Sequence, residues 1–469
     1  MRRSGYQLIG TVMLLFLSRL VCGATQPDST GVLRLYGEVS QLDGHISFDP
    51  NPRWLVVDGE ATAAWQVDVP RSGDYRIAVV YAAKDPGARY DLNVGSHSYT
   101  GTLRMQPGIF ADPLENFERL QVVASTPLDK GSQLLRIHFN SGSAQVHLRS
   151  IEVLPVGQDQ QQVQAQIARG RANTDWLARS GYGVMFHWTS QSQPRHGPAK
   201  SYAQAVADFD VSKFAAMVQD TGAAYVLFTV DHADPHCPAP IVSWEHYHPG
   251  WTTKRDLIGE IADALAKRHV RLMLYIASHT LGGLYKSTAA QYVQIHKDVL
   301  TELGHRYGTR VSGYWFDAWY QTREAYPDIS MQQLLPFARV GNPDRLVAYN
   351  FWIYPVETQW QDYWAGEVAS IVKPAASRIL HSGPGAGLQD HNLLVLDAPW
   401  VHATPDAAME PPNFSNRELI EYVRAMMAHQ GAVTLNVGIF QDGTIGEATR
   451  QQLMALRKAV RGAHTTDPK

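Results

Sequence analysis

The run Val311-Ser312-Gly313-Tyr314-Trp315-Phe316-Asp317-Ala318-Trp319 is apolar until it meets a carboxylate, with a tryptophan on either side. A carboxylate that closes a short buried strand sits, in a barrel of parallel strands, at the end where chemistry is done. Its apolar neighbours would desolvate it and let it face a sugar ring; the plainer alternative is that Asp317 caps the helix that follows. His187 and His232 each end a predicted strand, where a neutral imidazole can donate to or accept from hydroxyls. Trp188, Trp244, Trp315 and Trp319 can stack on or wall in a pyranose face, or serve as core. Asn436, at the end of a later strand, can line a pocket mouth or a turn, and Tyr275, within another strand, joins the candidate binding residues. One segment, His232-Ala233-Asp234-Pro235-His236-Cys237, is dense in metal-binding types. The chain has no second His/Cys cluster with metal-site spacing, so no metal is expected. Neither a GxxxxGK[ST] phosphate loop nor a GxSxG nucleophile turn occurs, and Gly383-Pro384-Gly385-Ala386-Gly387 reads as a loop.

These residues need elements that bring strand ends together. From residue 181 onward, apolar runs at 183–188, 224–229, 270–277, 311–316, 346–349, 393–396 and 433–437 alternate with amphipathic stretches at 204–220, 255–268, 289–307, 415–429 and 447–460. Strands alternating with helices predict parallel βα units. About seven strands over this length predict a TIM-like (β/α)8 barrel across 176–463, within an α/β class chain. Residues 31–156 behave differently. Trp65-Gln66-Val67-Asp68-Val69 and Tyr75-Arg76-Ile77-Ala78-Val79 alternate with period two between turn residues, which predicts an antiparallel β-sandwich. The Gln-rich segment at 158–166 marks a linker or lead-in helix across 157–175.

The 469 residues, 45% hydrophobic and 18% charged, leave room for two globular domains. A net charge of −3 offers no basic face for nucleic acid. Arg2 and Arg3, an apolar run at 8–17 and the small residues Cys22-Gly23-Ala24 predict a secretory signal over residues 1–24. Removal of that segment would leave Cys237 alone, so no disulfide is expected, as suits a bacterial periplasm or exterior. The mature chain has no further stretch apolar enough to span a membrane.

The strand-end motifs of the second half resemble glycoside hydrolase family 29, the retaining α-L-fucosidases. Tyr182-Gly183-Val184-Met185-Phe186-His187-Trp188 is similar to that family's "fGifiHWG" and Tyr225-Val226-Leu227-Phe228-Thr229-Val230-Asp231-His232 to its "AkYvvlTtKHHDGF". Trp244-Glu245 with Lys254-Arg255-Asp256-Leu257 follows "LWdS…kRDlvgEl", and Gly313-Tyr314-Trp315-Phe316-Asp317 follows "lWfDg". Asp362-Tyr363-Trp364-Ala365-Gly366-Glu367 is similar to "DyxtpE", and Leu435-Asn436-Val437-Gly438 to "LLNVGP". The resemblance implies Asp317 as nucleophile and Glu367 as acid/base, with Glu245 and Glu324 in reserve for the second role. It implies His187, Trp188, His232, Trp244, Glu245, Tyr275, Trp315 and Asn436 around the sugar. Two departures stand out: the adjacent histidines become His232-Ala233, and Tyr349-Asn350-Phe351-Trp352-Ile353 holds no counterpart of the "vNxR" arginine. The N-terminal half resembles the carbohydrate-binding modules appended to secreted glycosidases, with Trp54, Tyr90 and Phe110 as candidate sugar-stacking residues.

The expected protein is therefore a secreted or periplasmic retaining exo-glycosidase of α-L-fucosidase type. It would act without metal or organic cofactor on fucosylated or related glycans, and have no nucleic-acid partner. The alternatives are a related α-glycosidase with another sugar specificity or endo action, and a catalytically silent carbohydrate-binding protein.

Overall fold

Period-two alternation builds the N-terminal domain. In Trp54–Val69 the residues Leu55, Val57, Ala61, Ala63, Trp65, Val67 and Val69 are buried while Asp58, Glu60 and Gln66 face solvent, the pattern of a strand with one wet face. Nine such strands occur: β1 (Leu33–Tyr36), β2 (Gln41–Asp49), β3 (Trp54–Val69), β4 (Gly73–Ala83), β5 (Ala88–Val94), β6 (His97–Leu103), β7 (Glu118–Leu128), β8 (Gly131–Phe139) and β9 (Gln145–Pro155). They run antiparallel in the order β6-β5-β8-β3-β9-β4-β7, with β1 added to β9 and β2 to β3. The expected sandwich of two sheets is thus a single hydrogen-bonded network wrapped around one core that includes Trp65, Val79, Ile137 and Ile151. β3 makes the connection, because residues 55–58 pair with β9 and residues 61–69 pair with β8. A bulge in β2 at Gly44 lets the strand bend there: its φ is 81°, and a Cβ would lie 2.5 Å from the Glu60 carbonyl oxygen.

The computed structural model describes residue 27 and residues 31–462, except 51–52, 85–86, 106–111, 141–144, 327–328, 369, 382–384 and 399. The expected signal segment through Ala24, Phe110 and the pair Gly383-Pro384 lie outside the described residues.

Helix Gln158–Gly170 leads into the second domain, so the Gln-rich segment is helical rather than a loose linker. Eight parallel strands follow: β10 (Tyr182–Phe186), β11 (Tyr225–Thr229), β12 (Arg271–Ala277), β13 (Val311–Asp317), β14 (Leu346–Tyr349), β15 (Glu367–Val368), β16 (His391–Val395) and β17 (Ala432–Asn436). Their order is β14-β13-β12-β11-β10-β17-β16-β15. The strands read as continuous apolar runs because both faces are covered, one by helices and one by the sheet itself. Met185, Leu227, Met273, Trp315, Ala348, Leu393 and Ala432, from seven different strands, share one buried cluster. Only a sheet curled upon itself brings them together.

The sheet's two ends, β14 and β15, share no ladder among the described residues. Asp362 spans the gap instead. Its backbone N–H donates to the Val347 carbonyl at 2.8 Å, and its buried carboxylate accepts from the N–H groups of Val347 and Ala172, each at 2.7 Å. Arg339 donates to both carboxylate oxygens, at 2.7 and 3.0 Å. The sequence reading lacks β15, whose two residues are too short for any periodic signal. It also merges two helices at 204–220, which the structure separates as Tyr202–Asp208 and Val211–Thr221. Asp210 accepts from the Lys213 N–H at 2.9 Å and so begins a new helix. Among the described residues no helix is long and apolar enough to cross a membrane.

Replacing Asp362 with Ala strands the half-buried Arg339 charge and the Val347 and Ala172 amides. Denaturant titration is expected to record a loss of about 3–5 kcal/mol; a change under about 1 kcal/mol would mean that the seam closes without this carboxylate.

Candidate active site

Asp317 is the last residue of β13, and the chain reverses immediately after it. Ala318 adopts a left-handed conformation (φ 55°), a position that costs a residue with a Cβ about 1 kcal/mol or more, before helix Trp319–Ala325 begins. On the neighbouring strand β12, the Tyr275 hydroxyl donates to Asp317 Oδ2, and its ring stacks on Trp315 at 5.2 Å. Glu367 opens β15 across the seam. Gly366 before it has φ 66°, and a Cβ there would sit 2.1 Å from the His391 carbonyl oxygen, so glycine alone lets the chain approach β16.

Asn350, just beyond β14, joins the two carboxyl groups. Its backbone N–H donates to the Phe316 carbonyl at 2.8 Å, and its Oδ1 accepts from the Trp352 N–H at 3.1 Å. That second bond fixes which end of the amide is which. The Nδ2 group then donates to Asp317 Oδ1 at 2.8 Å and to Glu367 Oε2 at 2.5 Å. Two oxygens bonded to one nitrogen lie no more than roughly 5 Å apart, close to the ~5–5.5 Å spacing of two carboxyl groups that act in sequence on one carbon.

Neighbouring carboxylates resist ionising together. Burial first, and then the Asp317 charge, raise the Glu367 carboxyl to about 8, with the Asn350 hydrogen bond pulling the other way. Glu367 therefore holds a proton at neutral pH. Burial, followed by the same aspartate, pushes the Tyr275 phenol far up, so it remains a donor.

Two histidines complete the floor. His187 is buried, and its ring meets His232 edge-on at 4.4 Å and Tyr275 at 5.0 Å. Both His187 nitrogens and His232 Nδ1 lack a hydrogen-bond partner among the described residues. Burial keeps both rings neutral by lowering their affinity for protons; at His187 the neighbouring His232 adds to this, and at His232 the Asp317 charge opposes it. Buried polar atoms without protein partners, facing a cavity that also holds two carboxyl groups, are poised for a hydroxylated ligand. The cavity has a volume of about 200 Å³ and is bounded by His187, His232, Tyr275, Trp315, Asp317, Tyr320, Asn350, Trp352, Glu367 and Trp400.

Six of the ten residues expected around the site share this cavity: Asp317, Glu367, His187, His232, Tyr275 and Trp315. The other four are placed elsewhere. Trp188 is buried against Tyr202, Phe209 and Phe228, its indole N–H on the Gln441 carbonyl. Trp244 is buried with its indole N–H on the Pro235 carbonyl at 2.7 Å. Glu245 accepts from the amides of Gly250 and Thr252 and the Thr252 hydroxyl, which ties a loop and draws its carboxyl below the usual range. Asn436 donates weakly to the Ala398 and Trp400 carbonyls, and so supports the loop that carries Trp400. The reserve acid Glu324 is buried in ion pairs with Arg149 and Arg53. Trp319 is core, against His296 and Tyr349. In the segment read as a weak metal candidate, Asp234 accepts from Ser190 and His236, and Cys237 is buried.

Four cavity residues were missed. Asn350 follows the predicted strand at 346–349, and the strand-end rule that selected Asp317 selects it as well. Tyr320, Trp352 and Trp400 lie off the strands. The last two have left-handed backbones (φ 52° and 69°) that no periodicity announces.

Fold and site together define an α/β protein in which Asp317, closing β13, and Glu367, opening β15, are bridged by one amide. A family model described as alpha-L-fucosidase matches residues 199–460, and the chain belongs to that family. Among individual proteins it is similar to tissue alpha-L-fucosidase of Macaca fascicularis, 30% identical over 132 residues, which cover 21% of this chain and 28% of that protein. The Homo sapiens protein of the same name is 32% identical over 105 residues, covering 19% and 22%. The chain thus spans under a third of the length of these relatives. Among solved structures, alpha-L-fucosidase isoenzyme 1 from Paenibacillus thiaminolyticus superposes with a TM-score of 0.47 at 17% identity, over 61% of this chain and 75% of that one.

The bridge makes a prediction that needs no ligand. Followed by carbon-13 NMR of labelled glutamate, Glu367 titrates near pH 8. Asp317→Asn removes a like charge and lowers that midpoint by on the order of one pH unit, whereas Asn350→Ala removes a bond to the ionised form and raises it. Identical midpoints in all three proteins would dissolve the coupling.

Proposed function

We propose that the protein is a retaining exo-α-L-fucosidase, with Asp317 as nucleophile and Glu367 as acid/base. The observation that carries this reading is the pair of carboxyl groups held on one amide, where burial and the Asp317 charge favour a proton on Glu367. In the first step an Asp317 oxygen attacks the anomeric carbon while Glu367 gives its proton to the departing glycosidic oxygen. In the second, Glu367, now ionised, takes a proton from water as that water attacks the same carbon and releases Asp317. Tyr275 and Asn350 hydrogen-bond the nucleophile and keep it aimed. His187 and His232 offer neutral nitrogens to the sugar's hydroxyls.

The small cavity walled by Trp315, Tyr320, Trp352 and Trp400 supports removal of a single terminal sugar rather than cleavage within a chain. The family supports fucosyl as that sugar. With Trp352 where the family's "vNxR" has its arginine, the pocket has fewer charged contacts than the family pattern implies, which favours slow turnover of simple aryl fucosides. The curled sheet, joined across its seam by Asp362, is read as a TIM-like barrel with its site at the usual mouth. The N-terminal sequence pattern supports export.

Two substitutions test the assignment. Asp317→Ala is expected to lower kcat on nitrophenyl α-L-fucoside by on the order of 10³ or more, with partial rescue by azide, an anion that fills the vacated site. Near-normal activity would remove Asp317 from the role.

Glu367→Gln should suppress hydrolysis of a fucosyl disaccharide far more than that of the nitrophenyl glycoside, since a phenolate leaves without protonation. Glu367 is acid-competent only below about 8. The wild-type kcat/KM therefore falls as pH rises through that value, and the variant loses this basic limb. Equal damage to both substrates would place the acid elsewhere; binding of sugar without cleavage of either would favour a silent binding protein.

A further inference from the structure

The aromatic residues expected to make the N-terminal domain a sugar-binding module are not free to do so. Tyr90 is buried inside that domain, and Trp54 is buried at its border with the second one, where it stacks on His147 at 4.4 Å. The border instead converges on the cavity. Trp54 and Phe117 meet the edge of Tyr354, at 6.4 and 4.9 Å. Tyr354 in turn contacts Tyr320 and Trp352, at 5.8 and 6.0 Å, and those two rings form one side of the cavity's aromatic wall.

A buried charge pins the same wall. Arg149, on β9, is fully buried and lays its guanidinium over the Tyr354 ring at 4.1 Å. It donates to the Tyr320 carbonyl at 3.3 Å and pairs with Glu324, which also takes Arg53 at 3.1 Å. Glu324 belongs to the helix Trp319–Ala325 that starts directly after Asp317 and carries Tyr320. The N-terminal domain thus grips the loops after both β13 and β14, the two that supply Asp317, Asn350 and the wall. The two terminal nitrogens of Arg149 are committed to a carboxylate and a carbonyl, and its face to a ring, which fixes the guanidinium in place.

We propose that Arg149 is a positioning residue of the active site, and that the N-terminal domain serves to complete the sugar pocket by fixing Tyr320 and Trp352 through Glu324 and Tyr354. The ligand of that pocket is taken from the fucosidase reading, but the positioning claim can be tested without any ligand.

The variant is Arg149→Met with Glu324→Gln in the full-length chain, which removes both members of the buried pair and leaves Arg53 its partner Glu38 and Glu357 its partners Arg34 and Arg323. Tyr354→Leu, which removes the ring and no charge, is the second variant should the first fail to fold. Ile137→Val, in the N-terminal core away from the border, is the control for lost domain stability. Two readouts are taken: the Glu367 titration by NMR, and kcat and KM on nitrophenyl α-L-fucoside.

If the wall is held from the N-terminal domain, water enters the pocket of the variant and the Glu367 midpoint falls from about 8 by a pH unit or more. KM then rises about tenfold with a smaller change in kcat, and Ile137→Val moves neither quantity. A folded variant with unchanged midpoint and KM overturns the proposal, as does Ile137→Val matching the double variant's changes. If wild type titrates near 8 yet never turns over a fucoside, the fucosidase reading fails, and the shift of the midpoint alone decides the role of Arg149.

Discussion

Two carboxyl groups sharing one amide is the constraint around which the second domain is arranged. Two negative charges at that separation in a half-buried pocket repel strongly, so one group keeps its proton. The asymmetry is built from unequal company. Asp317 has a phenol and an amide donating to it, while Glu367 has the amide alone, and burial raises its carboxyl. Neither residue's identity is sufficient by itself. The arrangement comes from the end of β13, the residue after β14 and the first residue of β15 meeting at one place, with Asn350 between the other two.

That alignment is demanding because it occurs at the sheet's weakest place. β14 and β15 are its terminal strands, and β15 is only two residues long. A short terminal strand cannot hold a catalytic group by ladder bonds alone. Asp362 with Arg339, Gly366 against β16, and the N-terminal domain pressing from outside on the loops after β13 and β14 supply the missing rigidity.

This division explains what could be read from the amino-acid sequence. Strands β10 to β14, β16 and β17 were legible because burial on both faces demands unbroken apolar runs, and Asp317, His187 and His232 were legible as polar residues closing such runs. β15 was illegible because two residues carry no period. Trp188 and Trp244 misled, since a tryptophan beside a motif looks the same whether it faces the cavity or the outer helices. Trp352 and Trp400 went unseen because their positions depend on left-handed turns held by distant contacts. Arg149 and Glu324 lie 175 residues apart and meet only through domain packing, which no local pattern encodes.

The three nitrogens of His187 and His232 that find no partner among the described residues have a consequence for selectivity. An occupant that carries a hydroxyl opposite one of them would give it a partner that a methylene cannot. On the proposed reading, a deoxy analogue is no larger than the full sugar and meets no clash, yet it sets a methylene against a nitrogen and is disfavoured for that reason. Paired neutral histidines would then read the pattern of oxygens on a ring without the long reach of a charge, which would draw in any anion that passed.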